Sequence, residues 1–79
     1  MAVVYEEFPV GWLKIVDEDE EIIGIDYAEA PEKSDERSEV IDVCIDQLNE
    51  YFEGRRSEFT VPVNYRYGGT KFQQKVWNE

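Results

Sequence analysis

Cys44 is the only thiol in this 79-residue chain, so it is the first residue to consider for covalent chemistry. A cysteine that acts as a nucleophile or accepts an alkyl group needs a lowered pKa, which a histidine, a cation or a helix N-terminus can supply. The chain contains no histidine, and Ile41 and Leu48 flank Cys44 at helical spacing. Because burial on an apolar helix face raises a thiol pKa, the sequence predicts a core role for Cys44 and no catalytic residue.

The lack of histidine also excludes histidine-based catalytic triads and the common zinc sites. Ser34, Ser38 and Ser57 have no base partner in the sequence pattern. The carboxylates are numerous but scattered, and none follows EF-hand spacing, so we expect no metal and no cofactor. A single cysteine cannot form an internal disulfide, which favours a reducing compartment and predicts a cytoplasmic protein.

The charge divides sharply along the chain. Residues 1–53 carry 17 acidic and 3 basic side chains, whereas residues 54–79 carry 2 acidic and 5 basic ones. A surface as acidic as the first part repels phosphate backbones, so we do not expect it to bind nucleic acid by itself. Arg55 and Arg56 follow Gly54. Contact with phosphate is one role open to them, but we favour their interpretation as cations stabilised by the C-terminal dipole of a helix.

Three short apolar and β-branched runs predict strands at 3–5, 12–16 and 22–27, with Gly24 as a candidate bulge. The turns between them, at 9–11 and 17–21, are short, which favours a three-stranded antiparallel meander. The polar segment 30–37 contains Pro31 and predicts a loop.

A helix is predicted next, capped by Ser38, or by Ser34 or Asp35 if it begins earlier, and ended by Gly54. Its apolar stripe needs a partner surface, and the meander offers one, so the predicted class is α+β with one helix packed on a small antiparallel sheet. The stripe consists of Ile41, Cys44, Ile45, Leu48, Tyr51 and Phe52.

The segment after the helix alternates like a strand, with Phe59, Val61 and Val63 as its apolar positions. Because Pro62 has no N–H to donate, we predict an extended edge segment rather than a central strand. A loop over 65–69 and the start of a second helix at Thr70 follow.

The end of the chain resembles a known family. TKFQQKVW at 70–77 fits the pattern Thr-x-Phe-Gln-x-x-Val-Trp and follows EFTVPVNYRYGG, while FPVGWL and YFEGRR lie upstream in the expected order. This succession resembles the N-terminal part of the O6-alkylguanine-DNA alkyltransferases, or methylated-DNA–protein-cysteine methyltransferases, over essentially the whole chain. The motif residues are Thr70, Phe72, Gln73, Val76 and Trp77.

The resemblance implies a ribonuclease-H-like N-terminal domain over 1–67, then a junction and the first helix turns of a C-terminal domain over 68–79. In that family the C-terminal domain binds DNA, flips the damaged guanine out and transfers its O6-alkyl group to a cysteine in a Pro-Cys-His-Arg motif. This chain has no such motif, and Cys44 does not match the acceptor. The implied role is therefore structural, with the C-terminal domain as partner and DNA reached only through it. The structural zinc of some relatives needs Cys and His ligands that are missing here.

Two other readings remain open at the level of sequence. The chain could be a stand-alone, non-catalytic adaptor of similar fold, or, less favoured, a small nuclease suggested only by the ribonuclease-H-like topology. We expect residues 70–79 to fray, or Phe72, Val76 and Trp77 to pack on the sheet or mediate self-association. No apolar run approaches the roughly 18 residues that span a bilayer, so no membrane partner is expected.

Overall fold

The computed structural model describes residues 1–64 and contains three strands and one helix. Strands β1 (Ala2–Phe8), β2 (Gly11–Glu18) and β3 (Glu21–Ala28) form an antiparallel sheet in the order β1-β2-β3. Helix α1 (Glu39–Phe52) follows. The predicted meander, the helix and the α+β class are confirmed, and the second helix predicted from residue 70 lies outside the described residues.

One face of the sheet and the apolar stripe of α1 form the core. Alternate strand residues point to this face, as the two-residue period of a strand requires. Leu13, Ile15 and Ile25 are fully buried beneath the helix, and each such side chain stabilises the fold by about 1.5–3 kcal/mol. The core comprises Val4, Phe8, Leu13, Ile15, Ile22, Ile25, Val40, Ile41, Cys44, Ile45, Leu48 and Val61.

The turn between β2 and β3 is shorter than predicted. Asp17, Glu18 and Glu21 belong to the strands, and only Asp19 and Glu20 form the turn. Both turn residues have positive φ, 53° and 62° respectively. Such angles match the twist of two-residue hairpins but are costly for residues other than glycine, asparagine and aspartate, so the strain falls mainly on Glu20.

Replacing Glu20 with glycine should therefore stabilise the domain by about 0.5–1 kcal/mol, since the strain removed exceeds the entropy that glycine adds. Urea unfolding of the two proteins measures the difference. Val10→Gly is the matched control, because Val10 is an exposed turn residue whose φ is not positive. A gain at Val10 equal to that at Glu20 would contradict this explanation.

A β-bulge lies where Gly24 was expected to mark one. Val16 pairs with Gly24 while Asp17 pairs with Ile22, which leaves Ile23 as the extra residue. Ile23 is buried but lies outside the core cluster, and it lines a cavity on the other face of the sheet with Val3 and Val16. The extra residue thus lets Ile22 and Ile25, which are three positions apart, both face the core, whereas regular alternation would place them on opposite faces.

Both ends of α1 carry the predicted caps. The Ser38 hydroxyl accepts a 3.2 Å hydrogen bond from the Ile41 amide. At the other end Gly54 has φ 80°. Its amide donates to the Tyr51 carbonyl at 3.1 Å, and the Arg55 amide donates to the Glu50 carbonyl at 2.9 Å. This pair of bonds is a Schellman motif, which ends the helix where the glycine predicts.

The loop before α1 lies against the outer edge of β1. Asp35 makes two bonds to Val3: its amide donates to the Val3 carbonyl, and its carboxylate accepts from the Val3 amide, both at 2.9 Å. The Ser34 hydroxyl accepts from the Tyr5 amide at 2.8 Å. Arg37 forms an ion pair with Glu6. The segment predicted as a polar loop, with Ser34 and Asp35 as alternative helix caps, therefore occupies the edge of the sheet, and Ser38 alone is the cap.

After α1, the chain returns to the sheet and runs parallel to β3 for a short distance. Ile22 forms a single parallel bridge with Val63. Ala2 pairs with Asp17, and Asp17 pairs with Ile22, so these positions continue the same row across the sheet. The prediction of an extended edge segment is confirmed.

Candidate functional site

The segment at 59–64 is the candidate functional site, because it leads directly into the residues that carry the family resemblance. We call it the exit segment. The aromatic ring of Phe59 packs on Tyr51 of α1, with the ring centroids 5.5 Å apart. Val61 inserts into the core and is 5% exposed. The exit segment is thus held by packing at two alternate positions.

Gln47 fastens the exit segment to α1. Its side-chain oxygen accepts hydrogen bonds from the amides of Thr60 at 3.0 Å and Val61 at 3.2 Å. Its side-chain nitrogen donates to the Thr60 hydroxyl at 2.7 Å. Gln47 is 6% exposed, so these bonds are shielded from water and satisfy a buried amide group.

Ile22 fastens the same segment to the sheet. The Ile22 amide donates to the Pro62 carbonyl at 2.9 Å, and the Asn64 amide donates to the Ile22 carbonyl at 2.8 Å. Pro62 contributes only its carbonyl, so its missing N–H costs nothing here. Together, Gln47 and Ile22 hold the exit segment against both α1 and the sheet.

Cys44 lies in the core under the sheet and is fully buried. Burial raises the pKa of its thiol from 9.0 to about 12. A thiol in this state is neutral at physiological pH and is inaccessible to a bulky electrophile. The environment of Cys44 is therefore the reverse of what an alkyl acceptor needs.

A buried carboxylate joins the N-terminal end of the chain to the start of α1. Asp17, 6% exposed, accepts a 2.8 Å hydrogen bond from the Ala2 amide and one from the Ser38 hydroxyl. Because Ser38 also caps the helix, Asp17 orients the cap. A cavity of about 470 Å³ adjoins this pair, with Glu20 and Glu39 among its lining residues. All of its ionisable lining residues are acidic, which does not suit a phosphate ligand.

The two arginines after the end of α1 have structural partners. Arg55 forms an ion pair with Glu53, and Arg56 forms one with Glu50 at 2.7 Å. The Arg56 guanidinium also donates to a backbone carbonyl at 3.0 Å. These contacts hold both arginines beside the helix end. The motif residues lie outside the described residues: Thr70, Phe72, Gln73, Val76 and Trp77.

Residues 1–64 contain no group of three or more histidine, cysteine or acidic side chains arranged to hold a metal ion. Within the same residues, no helix has the length and apolar character needed to cross a bilayer.

Sequence reasoning missed Gln47 and Asp17. Gln47 follows Cys44 by three residues and precedes Tyr51 by four, so helical spacing alone places it beside the apolar stripe. Asp17 continues the alternation of Leu13 and Ile15, which places it on the inner face of β2. In both cases the spacing places the residue next to the core, but the polar side chain favours a prediction that it is exposed to solvent.

Comparisons of the sequence with known proteins identify the family. The model of the family described as "6-O-methylguanine DNA methyltransferase, ribonuclease-like domain" matches residues 2–65. No solved structure matches the chain at a significant level.

Three bacterial relatives match the chain over different lengths. The constitutive methylated-DNA–protein-cysteine methyltransferase of Bacillus subtilis is 32% identical over 80 aligned positions, covering 90% of this chain and 47% of the relative. The inducible enzyme of the same organism is 53% identical over 32 residues, 40% of this chain and 17% of the relative. The Mycobacterium tuberculosis H37Rv enzyme is 54% identical over 34 residues, 43% of this chain and 19% of the relative. The chain thus spans less than half the length of each of these relatives. Because the family model matches most of its residues, the chain belongs to the 6-O-methylguanine DNA methyltransferase family and contains the N-terminal, ribonuclease-like domain of that family.

Proposed function

We propose that this domain is a non-catalytic scaffold within a cytoplasmic DNA-repair protein that transfers O6-alkyl groups from guanine to its own cysteine. The acceptor cysteine and the DNA-binding surface would belong to a C-terminal domain beyond the described residues. The observation that carries the proposal is the state of Cys44, which is fully buried with its pKa raised to about 12. An acceptor thiol must be ionised and must reach the flipped base, and the Cys44 thiol meets neither requirement.

The exit segment gives the scaffold its proposed task. Thr60 and Val61 are bonded to Gln47, and the backbone on either side of Val63 is bonded to Ile22. These contacts define the position from which the chain would enter the second domain. We propose that Thr70, Phe72, Gln73, Val76 and Trp77 form the first helix of that domain, placed by the exit segment.

An alkyl-transfer assay tests the catalytic part of the proposal. The 79-residue chain is incubated with a duplex containing O6-methylguanine, and its mass is measured. We expect no mass gain, whereas the constitutive relative from Bacillus subtilis, used as the positive control, should gain one methyl group. A methyl group located on Cys44 by peptide mapping, and lost in the Cys44→Ala variant, would contradict the proposal.

The scaffold part has a separate test. The coding sequence beyond residue 79 either contains a Pro-Cys-His-Arg motif or it does not. If it does, the two halves expressed as separate polypeptides should form a complex, and Gln47→Ala should weaken that complex more than Asn49→Ala. A stop codon directly after residue 79 would favour the adaptor reading instead. Equal affinities for the two variants would refute the role assigned to the exit segment.

A further inference from the structure

Residues 34–35 form what we call the edge strap, and its contacts satisfy backbone groups of β1 that face away from β2. The Val3 amide and carbonyl and the Tyr5 amide all bond to the edge strap, at 2.8–2.9 Å. Ser34 lies opposite Tyr5 and Asp35 opposite Val3, so the edge strap runs antiparallel to β1. It occupies the positions that a neighbouring strand would take.

The edge strap achieves this with few backbone bonds. Two of its three contacts use side-chain oxygens, from Asp35 and Ser34, as the acceptors. Both residues are exposed, and the strap is not part of any strand. Exposed bonds of this kind open more readily than the ladder of a sheet. When the strap opens, β1 becomes an unprotected edge strand, with Val3 and Tyr5 offering a β-branched and an aromatic side chain.

We propose that the edge strap is a guard that prevents a second copy of this domain from adding its own β1 strand to the sheet. An antiparallel β1 from a second copy would place its Tyr5 opposite Val3, and its Val3 opposite Tyr5, and would replace all three strap contacts with backbone bonds. The occupant is a second copy because the interface is then self-complementary about a two-fold axis. The net charge of −11 opposes the encounter, so salt should favour it.

The test compares the 79-residue chain with its Ser34→Ala/Asp35→Ala variant by analytical ultracentrifugation in about 0.5 M salt, where surface charges are screened. We expect the double variant to dimerise at least about tenfold more tightly than the unaltered chain. Glu36→Ala is the matched control, since it removes one negative charge from the same loop without touching a strap contact. Adding Tyr5→Lys to the double variant should abolish the dimer, because an edge lysine blocks strand addition.

Amide exchange locates the contact and separates it from any association through Phe72, Val76 and Trp77. In the double variant, protection of the Val3 and Tyr5 amides should increase with protein concentration. If the double variant does not fold, Ser34→Ala alone, which removes a single exposed acceptor, should show the same dependence at Tyr5. The proposal is overturned if the folded variants stay monomeric with fast-exchanging edge amides, or if they dimerise without protecting them.

Discussion

Replacing Gln47 with alanine is expected to lower the free energy of unfolding by about 2–4 kcal/mol, because it leaves the buried Val61 amide without an acceptor. The Gln47 side chain makes three hydrogen bonds to the exit segment, two as acceptor and one as donor. Removing it deletes all three at once. In a domain of this size, a loss of that magnitude is a large part of the total stability.

Urea unfolding measures the loss of free energy of unfolding, and two further variants serve as comparisons. Asn49→Ala changes an exposed amide on the same helix and should cost less than about 0.5 kcal/mol. Thr60→Val removes only the hydroxyl partner and should cost about 1 kcal/mol. Amide exchange should show Val61 losing protection in Gln47→Ala but not in Asn49→Ala. If Gln47→Ala and Asn49→Ala are equally stable, Gln47 does not hold the exit segment.

Raising the pH from 9 toward 12 is expected to destabilise the unaltered domain more than its Cys44→Ala variant. Burial holds the Cys44 pKa at about 12 in the folded chain, against an ordinary value of 9.0. Between these values the folded state keeps a proton that the unfolded state releases, so stability falls as the pH rises. The slope reaches about 1.4 kcal/mol per pH unit, and the full window amounts to about 4 kcal/mol.

The measurement is the difference between the two unfolding curves at each pH. Every other ionisable group is common to both proteins, so its contribution cancels in that difference. Below pH 9 the two curves should differ by a constant offset, which is the packing cost of the substitution. Parallel curves up to pH 12 would mean that Cys44 ionises freely in the folded chain, and would reopen the question of its reactivity.

The elements of the fold could be predicted because their signals are local. Ser38 and Gly54 predict the two ends of the helix, because serine suits an N-cap and glycine suits a positive φ. The spacing of Ile41, Ile45 and Leu48 gives the buried helix face, and the short turns allow only antiparallel strands. Each of these inferences depends on residues within a few positions of one another.

The long-range polar contacts could not be predicted in this way. The sequence predicts Asp17 as part of a charged turn, yet its side chain bonds to Ser38, 21 residues away. Gln47 bonds to Thr60 across 13 residues, and Asp35 to Val3 across 32. A polar side chain has no preferred partner until packing brings one close, so its burial depends on the tertiary fold. The most specific part of the family resemblance is the motif at 70–77, which lies outside the described residues, whereas the family model matches residues 2–65 and does not include that motif.

The row from Ala2 through Asp17 and Ile22 to Val63 has a practical consequence for protein engineering. Four neighbouring segments at the usual inter-strand spacing put the first and last members of the row about 14 Å apart. A bulky fusion partner attached at residue 1 would therefore emerge beside the exit segment and crowd whatever follows it. The turn at Pro9 and Val10 lies at the opposite end of the sheet and is exposed, so a fluorescent label or purification tag is better inserted there.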